Sequence, residues 1–124
     1  MAVKRVVPNI ATENFSAAKS FYGDLLGMET VMDHGWIVTL AGEGRQAEIS
    51  FAREGGSGAP VPDLSVEVDD LEAAYQGVLR ENLSVEYGPV LEPWGVRRFF
   101  VRDPLGKLVN VLAHDRPDRG EPKE

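Results

Sequence analysis

The sequence predicts an α+β fold built from two β-α-β-β-β modules whose strands join in a curved eight-stranded sheet. Three observations predict it. The same order of elements occurs twice. The second occurrence keeps a nearly constant displacement: Phe15 and Ala17-Ala18 return as Leu71 and Ala73-Ala74, 56 residues on, and Gly44 and Glu48 return as Gly106 and Asn110, 62 residues on. The six added residues lie around Val90-Leu-Glu-Pro-Trp-Gly95. Finally, the last two strands, about Val96 to Arg102 and Lys107 to Ala113, flank Asp103-Pro104-Leu105-Gly106, a turn with explicit chemistry. Asp103 can bond the backbone ahead of it, Pro104 presets φ, and Gly106 tolerates a positive φ at the exit.

Taken in order, Val3 to Ile10 is a β-rich run interrupted by Pro8, which lacks an amide donor and suits an edge or a bulge. Asn14 is the expected N-cap of a first helix. Phe15, Ala18, Tyr22, Leu25 and Leu26 follow at helical spacing, and Gly27 is the stop. Strands are expected at about Glu29 to Asp33, Trp36 to Leu40 and Gln46 to Phe51. Trp36, Val38 and Leu40 then share one face, and Ala47, Ile49 and Phe51 oppose Glu48 and Ser50. Glu54 to Pro60 is a glycine-rich linker by composition.

In the second module a strand from about Val61 to Val68 leads into Asp69-Asp70-Leu71-Glu72, where Asp69 and Glu72 have capping-box spacing. Leu71, Ala74, Tyr75, Val78 and Leu79 form the apolar stripe of a second helix. A strand at about Ser84 to Val90 precedes the final hairpin. These boundaries give one domain, residues 1–114, with modules at about 3–52 and 61–113 joined by a linker at 54–60. The tail 115–124 has seven charges in ten residues and two prolines, and is expected to be disordered.

Composition narrows function. A chain of 124 residues supports one core. No apolar run approaches a membrane span, and no signal-peptide core follows Met1-Ala-Val-Lys-Arg, so the expected location is the cytoplasm. The absence of cysteine excludes disulfides, thiolate nucleophiles and cysteine zinc sites. From Val61 to Glu92 eight acids face a single base, Arg80; this local excess of −7 equals the net charge of the whole chain. Such a surface disfavours nucleic acid and anionic membranes and favours a cationic ligand. The same residues also read as a solvated helix face. No Ser-His-Asp, phosphate-loop or dinucleotide pattern is present.

Phe21-Tyr22-x-x-x-Leu26-Gly27 at the end of the first helix and Arg102-Asp-Pro-Leu-Gly106 in the last hairpin resemble the vicinal oxygen chelate superfamily, over about Lys4 to His114. That superfamily includes glyoxalase, extradiol dioxygenases, fosfomycin-modifying enzymes and bleomycin resistance proteins. In its metalloenzymes four side chains, one from the first and one from the last strand of each module, bind a divalent ion. Carried over by position, these fall on Val7, Glu48, Asp63 and Asn110. Valine has no donor atom, and asparagine offers only a neutral oxygen. His34 and His114 fall in a turn and near the tail. The resemblance therefore implies no metal and no other cofactor, although a weak oxygen-ligated site at Glu48 and Asp63 stays open.

Val6-Val7-Pro8-Asn9 and Glu92-Pro-Trp-Gly-Val-Arg-Arg-Phe-Phe-Val-Arg-Asp-Pro104 look like the bleomycin resistance proteins. That likeness implies a homodimer that exchanges its N-terminal arm and sequesters a cationic glycopeptide antibiotic, with no bond made or broken. Trp94 is the first candidate for stacking on such a ligand, and Trp36 the second. Asp63, Ser65 and Glu67 are expected to share a face as an acidic wall, with Glu48 and Asn110 completing the ligand-binding set. Glu48, if buried, needs a partner such as Arg98. The roles of Arg97, Arg98 and Arg102 stay open. The alternative reading is a glyoxalase- or dioxygenase-like enzyme with an altered metal site and Glu48 as ligand or base. A further alternative is a binding or regulatory module whose ligand is an unrelated metabolite.

Overall fold

A computed structural model describes residues 1–114, and the charged tail lies outside the described residues. The fold is α+β, with eight strands and two helices in the expected order. The strands are β1 (Val3–Ala11), β2 (Glu29–Asp33), β3 (Ile37–Ala41), β4 (Glu48–Ala52), β5 (Leu64–Val68), β6 (Val85–Leu91), β7 (Val96–Arg102) and β8 (Leu108–His114). The helices are α1 (Phe15–Ala18), which continues as π-type turns over Lys19–Leu25, and α2 (Leu71–Arg80). The chain forms two compact units: Val7–Val61, and Met1–Val6 together with the chain from Pro62. The opening residues of β1 thus belong with the second half of the sequence, whereas the repeat alone assigns the whole strand to the first.

In the unit Val7–Val61 the strand order is β2-β3-β4-β1. β1 runs parallel to β4 with Asn9 beside Ser50 and Ala11 beside Ala52, continuing through Pro8 as one strand. Asn14 caps α1 as its spacing predicts, accepting from the Ala17 amide at 3.0 Å. Beyond Ala18 the turns widen, with the Leu26 amide bonded to the Phe21 carbonyl at 3.1 Å. β3 and β4 alternate as expected: Val38, Leu40, Ile49 and Phe51 pack on Ala18 and Tyr22. The other face carries Thr39 and Ser50, whose hydroxyls meet at 2.6 Å in the interior. Residues 54–60 close on themselves, the Gly55 amide bonding the Ala59 carbonyl at 2.6 Å and Gly58 bonding the Glu54 carboxylate at 2.8 Å.

In the other unit the order is β1-β5-β8-β7-β6. The start of β1 is tied in at both ends of Ala2, whose amide meets Asp69 Oδ1 at 2.8 Å and whose carbonyl accepts from the Asp69 amide at 3.1 Å. Asp69 is therefore not the cap of α2. Asp70 is, accepting from the Ala73 amide at 3.0 Å. β5 begins at Leu64, later than expected, because Asp63 lies in a bend where its Oδ2 accepts from the Leu108 amide at 2.8 Å. The Asp103 turn forms as its chemistry predicts: Asp103 Oδ1 accepts from the amides of Leu105 and Lys107 at 2.8 and 2.9 Å, and Gly106 has φ +85°. α2 lies on β7 and β8, with the Tyr75 and Phe99 rings 5.3 Å apart.

Candidate functional site

Strand register gathers the chemistry of the second unit onto one sheet face. Across β5 and β8 Ser65 stands beside Asn110 and Glu67 beside Leu112. Across β7 and β8 Phe100 faces Asn110, Arg98 faces Leu112 and Val96 faces His114. Since side chains alternate, all eight of these residues point away from α2, while Phe99, Val101, Val109 and Val111 point toward it. The face is buried despite its polarity: Glu67, Arg98 and Asn110 are each at most 8% exposed. Charges in such a place need partners.

Arg98 has them in number. Its Nε and Nη2 both lie 2.6 Å from Glu92 Oε2, which also accepts from the Tyr87 hydroxyl at 2.7 Å. The guanidinium carbon stands 5.2 Å from the Tyr87 ring centre, 5.1 Å from Trp94 and 4.9 Å from Phe100, within cation–π range of each. The turn bearing Trp94 is locked from below, the Glu92 amide bonding the Val96 carbonyl at 2.8 Å and the Gly95 amide the Glu92 carbonyl at 3.0 Å. The Glu92–Arg98 pair thus fixes where the indole stands. The Glu48 side chain, 5% exposed, lies 3.9 Å from Arg45.

Glu67 is the second charged centre. Its Oε1 is 3.2 Å from Arg5 Nε, and its Oε2 is 2.8 Å from His114 Nδ1 and 3.9 Å from Lys4 Nζ. Burial pushes the Glu67 carboxyl up. The His114 hydrogen bond and the charges of Arg5 and Lys4 outweigh it and hold the group below its ordinary value. An acidic wall is therefore not what the three residues make. Asp63 caps the entry to β8, Glu67 is matched by cations, and Ser65 Oγ takes the Asn110 amide nitrogen at 3.1 Å. Two buried polar atoms on this face have no hydrogen-bond partner among the described residues: Asn110 Oδ1 and His114 Nε2.

Three further acids of the Val61–Glu92 stretch also have local structural duties. Asp70 caps α2, Glu72 accepts from Gln76 at 3.0 Å, and Glu86 receives Arg102 at 2.6 and 2.9 Å. Of the three arginines left open by the sequence, Arg98 is the buried one, and Arg102 serves the β6–β7 edge. His114 escaped sequence reasoning because it stands at a strand end. The alternation of Leu108, Asn110 and Leu112 extended by one step would have placed it.

The other candidates lie in the unit Val7–Val61. Trp36 is in the turn before β3, not on the strand, and stacks on His34 with ring centres 6.1 Å apart. Following the Asn9–Ser50 register back by two places sets buried Val7 beside Glu48. The equivalent pair in the second unit is Ser65 with Asn110, so the 56-residue offset that assigns a ligand position to Asp63 is two residues out on β5. The corrected donor set is Val7, Glu48, Ser65 and Asn110, with a single carboxylate, and does not fit a divalent ion. Among the described residues no three His, Cys, Asp or Glu side chains gather as metal ligands. No described helix is long and apolar enough to cross a membrane.

Comparison with known proteins follows the same lines. None of the curated proteins compared matches the chain. Solved structures do. A glyoxalase/bleomycin resistance protein/dioxygenase superfamily member from Vibrio splendidus 12B01 is 23% identical with a TM-score of 0.62, the match covering 90% of this chain and 99% of that one. Methylmalonyl-CoA epimerase from Mycobacterium tuberculosis is 20% identical with a TM-score of 0.64, covering 93% and 88%. A hypothetical protein from Bacillus halodurans C-125 is 15% identical with a TM-score of 0.73, covering 96% and 99%. At these identities the likeness is one of fold. The sequence model of one superfamily matches residues 3–111, nearly the whole of the two-module repeat, and the chain belongs to the Glyoxalase/Bleomycin resistance protein/Dioxygenase superfamily.

Proposed function

We infer that this protein binds a small organic ligand without covalent chemistry and without a metal, in the manner of the bleomycin resistance proteins. The observation that carries the reading is Asn110, whose Oδ1 is a buried acceptor with no donor among the described residues. Buried polar atoms in native folds are nearly always matched, and a site built to take a ligand group is one reason for an exception. Ser65 stands beside it for a further polar contact, and Trp94, held at 5.1 Å from the Arg98 guanidinium, is the ring offered for stacking. The residues at the superfamily's metal positions support binding without an ion, since valine, serine and asparagine supply no charge. The net charge of −7 favours a cationic ligand, a glycopeptide antibiotic being the type. That attraction comes from the chain as a whole, because Glu67 is matched locally. A homodimer acting in the cytoplasm completes the reading.

The test is a tryptophan-fluorescence titration with a bleomycin-type glycopeptide, repeated on Trp94→Ala. Saturable quenching at about one ligand per chain, weakened at least tenfold by the substitution, or about 1.4 kcal/mol, is expected. No quenching at millimolar drug would remove the glycopeptide. A stoichiometric divalent ion retained through purification would overturn the reading in favour of a metalloenzyme using Glu48.

A further inference from the structure

β8 carries two acceptors that the protein's own hydrogen bonding leaves over. Asn110 uses Nδ2 on Ser65 Oγ at 3.1 Å and keeps Oδ1 unmatched. Four residues on, His114 uses Nδ1 on Glu67 Oε2 at 2.8 Å and keeps Nε2 unmatched. Glu67 also faces Arg5 and Lys4, which hold it as a carboxylate, an acceptor only. The proton between His114 and Glu67 therefore belongs to Nδ1, and in the neutral ring Nε2 presents a lone pair. Asn110, Leu112 and His114 share one face, so the two acceptors are about 13 Å apart along the strand at ~3.3 Å per residue. Between them lies Leu112, whose register neighbours are Arg98 on β7 and Glu67 on β5, while Phe100 stands beside Asn110 and Val96 beside His114.

We propose that Asn110 Oδ1 and His114 Nε2 form a two-point acceptor pair that selects an elongated ligand with an O–H or N–H donor at each end, its middle crossing Leu112. The inference rests on the ligand-binding reading above and names the class of ligand that reading leaves open. Glu67 is then a positioning residue, fixing the imidazole tautomer without touching the ligand. A structural role for the same atoms makes the opposite forecast for stability. Acceptors kept for a ligand burden the free protein, so apolar replacements should not weaken the fold; acceptors that serve the fold should be missed.

The probes are α,ω-alkanediols of about six to about twelve carbons, which bracket the ~13 Å span, with their dimethyl ethers as partners lacking donors. Binding to the full chain is read by thermal shift and by amide chemical shifts. The expected result is an optimum at one intermediate length, at least tenfold tighter than the matching ether. Asn110→Leu and His114→Phe should each weaken it at least tenfold, with Asn110→Leu leaving the melting temperature of the free protein unchanged or higher. His114→Gln, which keeps an acceptor, should retain part of the affinity, and His114→Phe reads the same pair if Asn110→Leu does not fold. Equal binding of the ethers, no dependence on length, wild-type binding by the variants, or no binding of any diol would each overturn the pair. The glycopeptide titration on Trp94 is independent: quenching there with wild-type behaviour of both variants would leave the binding function standing and this inference refuted.

Discussion

Arg98 and Glu92 meet at 2.6 Å across the Pro93-Trp94-Gly95 turn, with neither side chain more than 4% exposed. A pair so placed is costly to break from one side only, because the survivor keeps its charge in the interior. Arg98→Met should therefore cost about 3–5 kcal/mol in urea denaturation and should shift the Trp94 emission, since the guanidinium under the indole is lost. The double change Glu92→Leu with Arg98→Met should recover much of that cost. A single-variant loss below ~1 kcal/mol, the range of solvated surface pairs, would mean that the charges are not desolvated.

The depressed Glu67 carboxyl sets the acid limb of stability. In the unfolded chain the group titrates at its ordinary value of 4.5, and in the fold it titrates lower, so the unfolded state binds more protons in between. The contribution is present above the unfolded value and is lost as pH falls through the folded one. Glu67→Gln should flatten the dependence of unfolding free energy on pH over roughly pH 5 to 3. A slope unchanged by the substitution would show that His114, Arg5 and Lys4 do not act on this carboxylate in solution.

Thr39 and Ser50 share a 2.6 Å hydrogen bond and are 0% and 3% exposed. Removing one hydroxyl strands the other. Thr39→Val or Ser50→Ala alone should cost about 1–3 kcal/mol, and the two together should cost less than their sum. Simple additivity in a double-mutant cycle would refute the coupling.

The fold was legible because it is written in periodicities that local chemistry enforces. The Asn14 cap, the β3 and β4 alternation and the Asp103 turn each follow from atoms within a few residues of one another. The misplacements share a different cause. Local spacing marks Asp69 as a cap, because the sequence cannot show that the Ala2 amide, 67 residues away, takes its carboxylate. Strand parity marks Asp63 as a face residue, because its bond to the Leu108 amide is equally remote, at a separation of 45 residues. Charge was hardest to read for the same reason: an acid count fixes the total, but Glu67 and Glu92 are matched by cations that only strand pairing brings near. Within the candidate site, Ser65, Glu67 and Asn110 follow from parity along a strand. Arg98, and the pairing of His114 with Glu67, require knowledge of which strands are neighbours.

Gly88 ties the backbone to the site. β6 slips register against β7 between Tyr87 and Val90, and Gly88 stands in that irregularity with φ +75°. A Cβ built there would lie 2.5 Å from the Arg98 carbonyl oxygen and 3.2 Å from the Phe99 Cα. Neither neighbour is a flexible side chain, so the strands must part or the dihedral must change. Gly106 is the natural control, since its φ is +85° yet a Cβ meets nothing within 4 Å. Gly106→Ala should carry backbone strain alone, about 1 kcal/mol, while Gly88→Ala should cost clearly more, toward 3 kcal/mol. Displacing β6 also moves Tyr87 away from Glu92, so Gly88→Ala should weaken ligand-induced quenching of Trp94 where Gly106→Ala does not. Equal losses for the two variants would mean that β6 yields easily at this point, and that the Tyr87–Glu92–Arg98 chain is held from the β7 side alone.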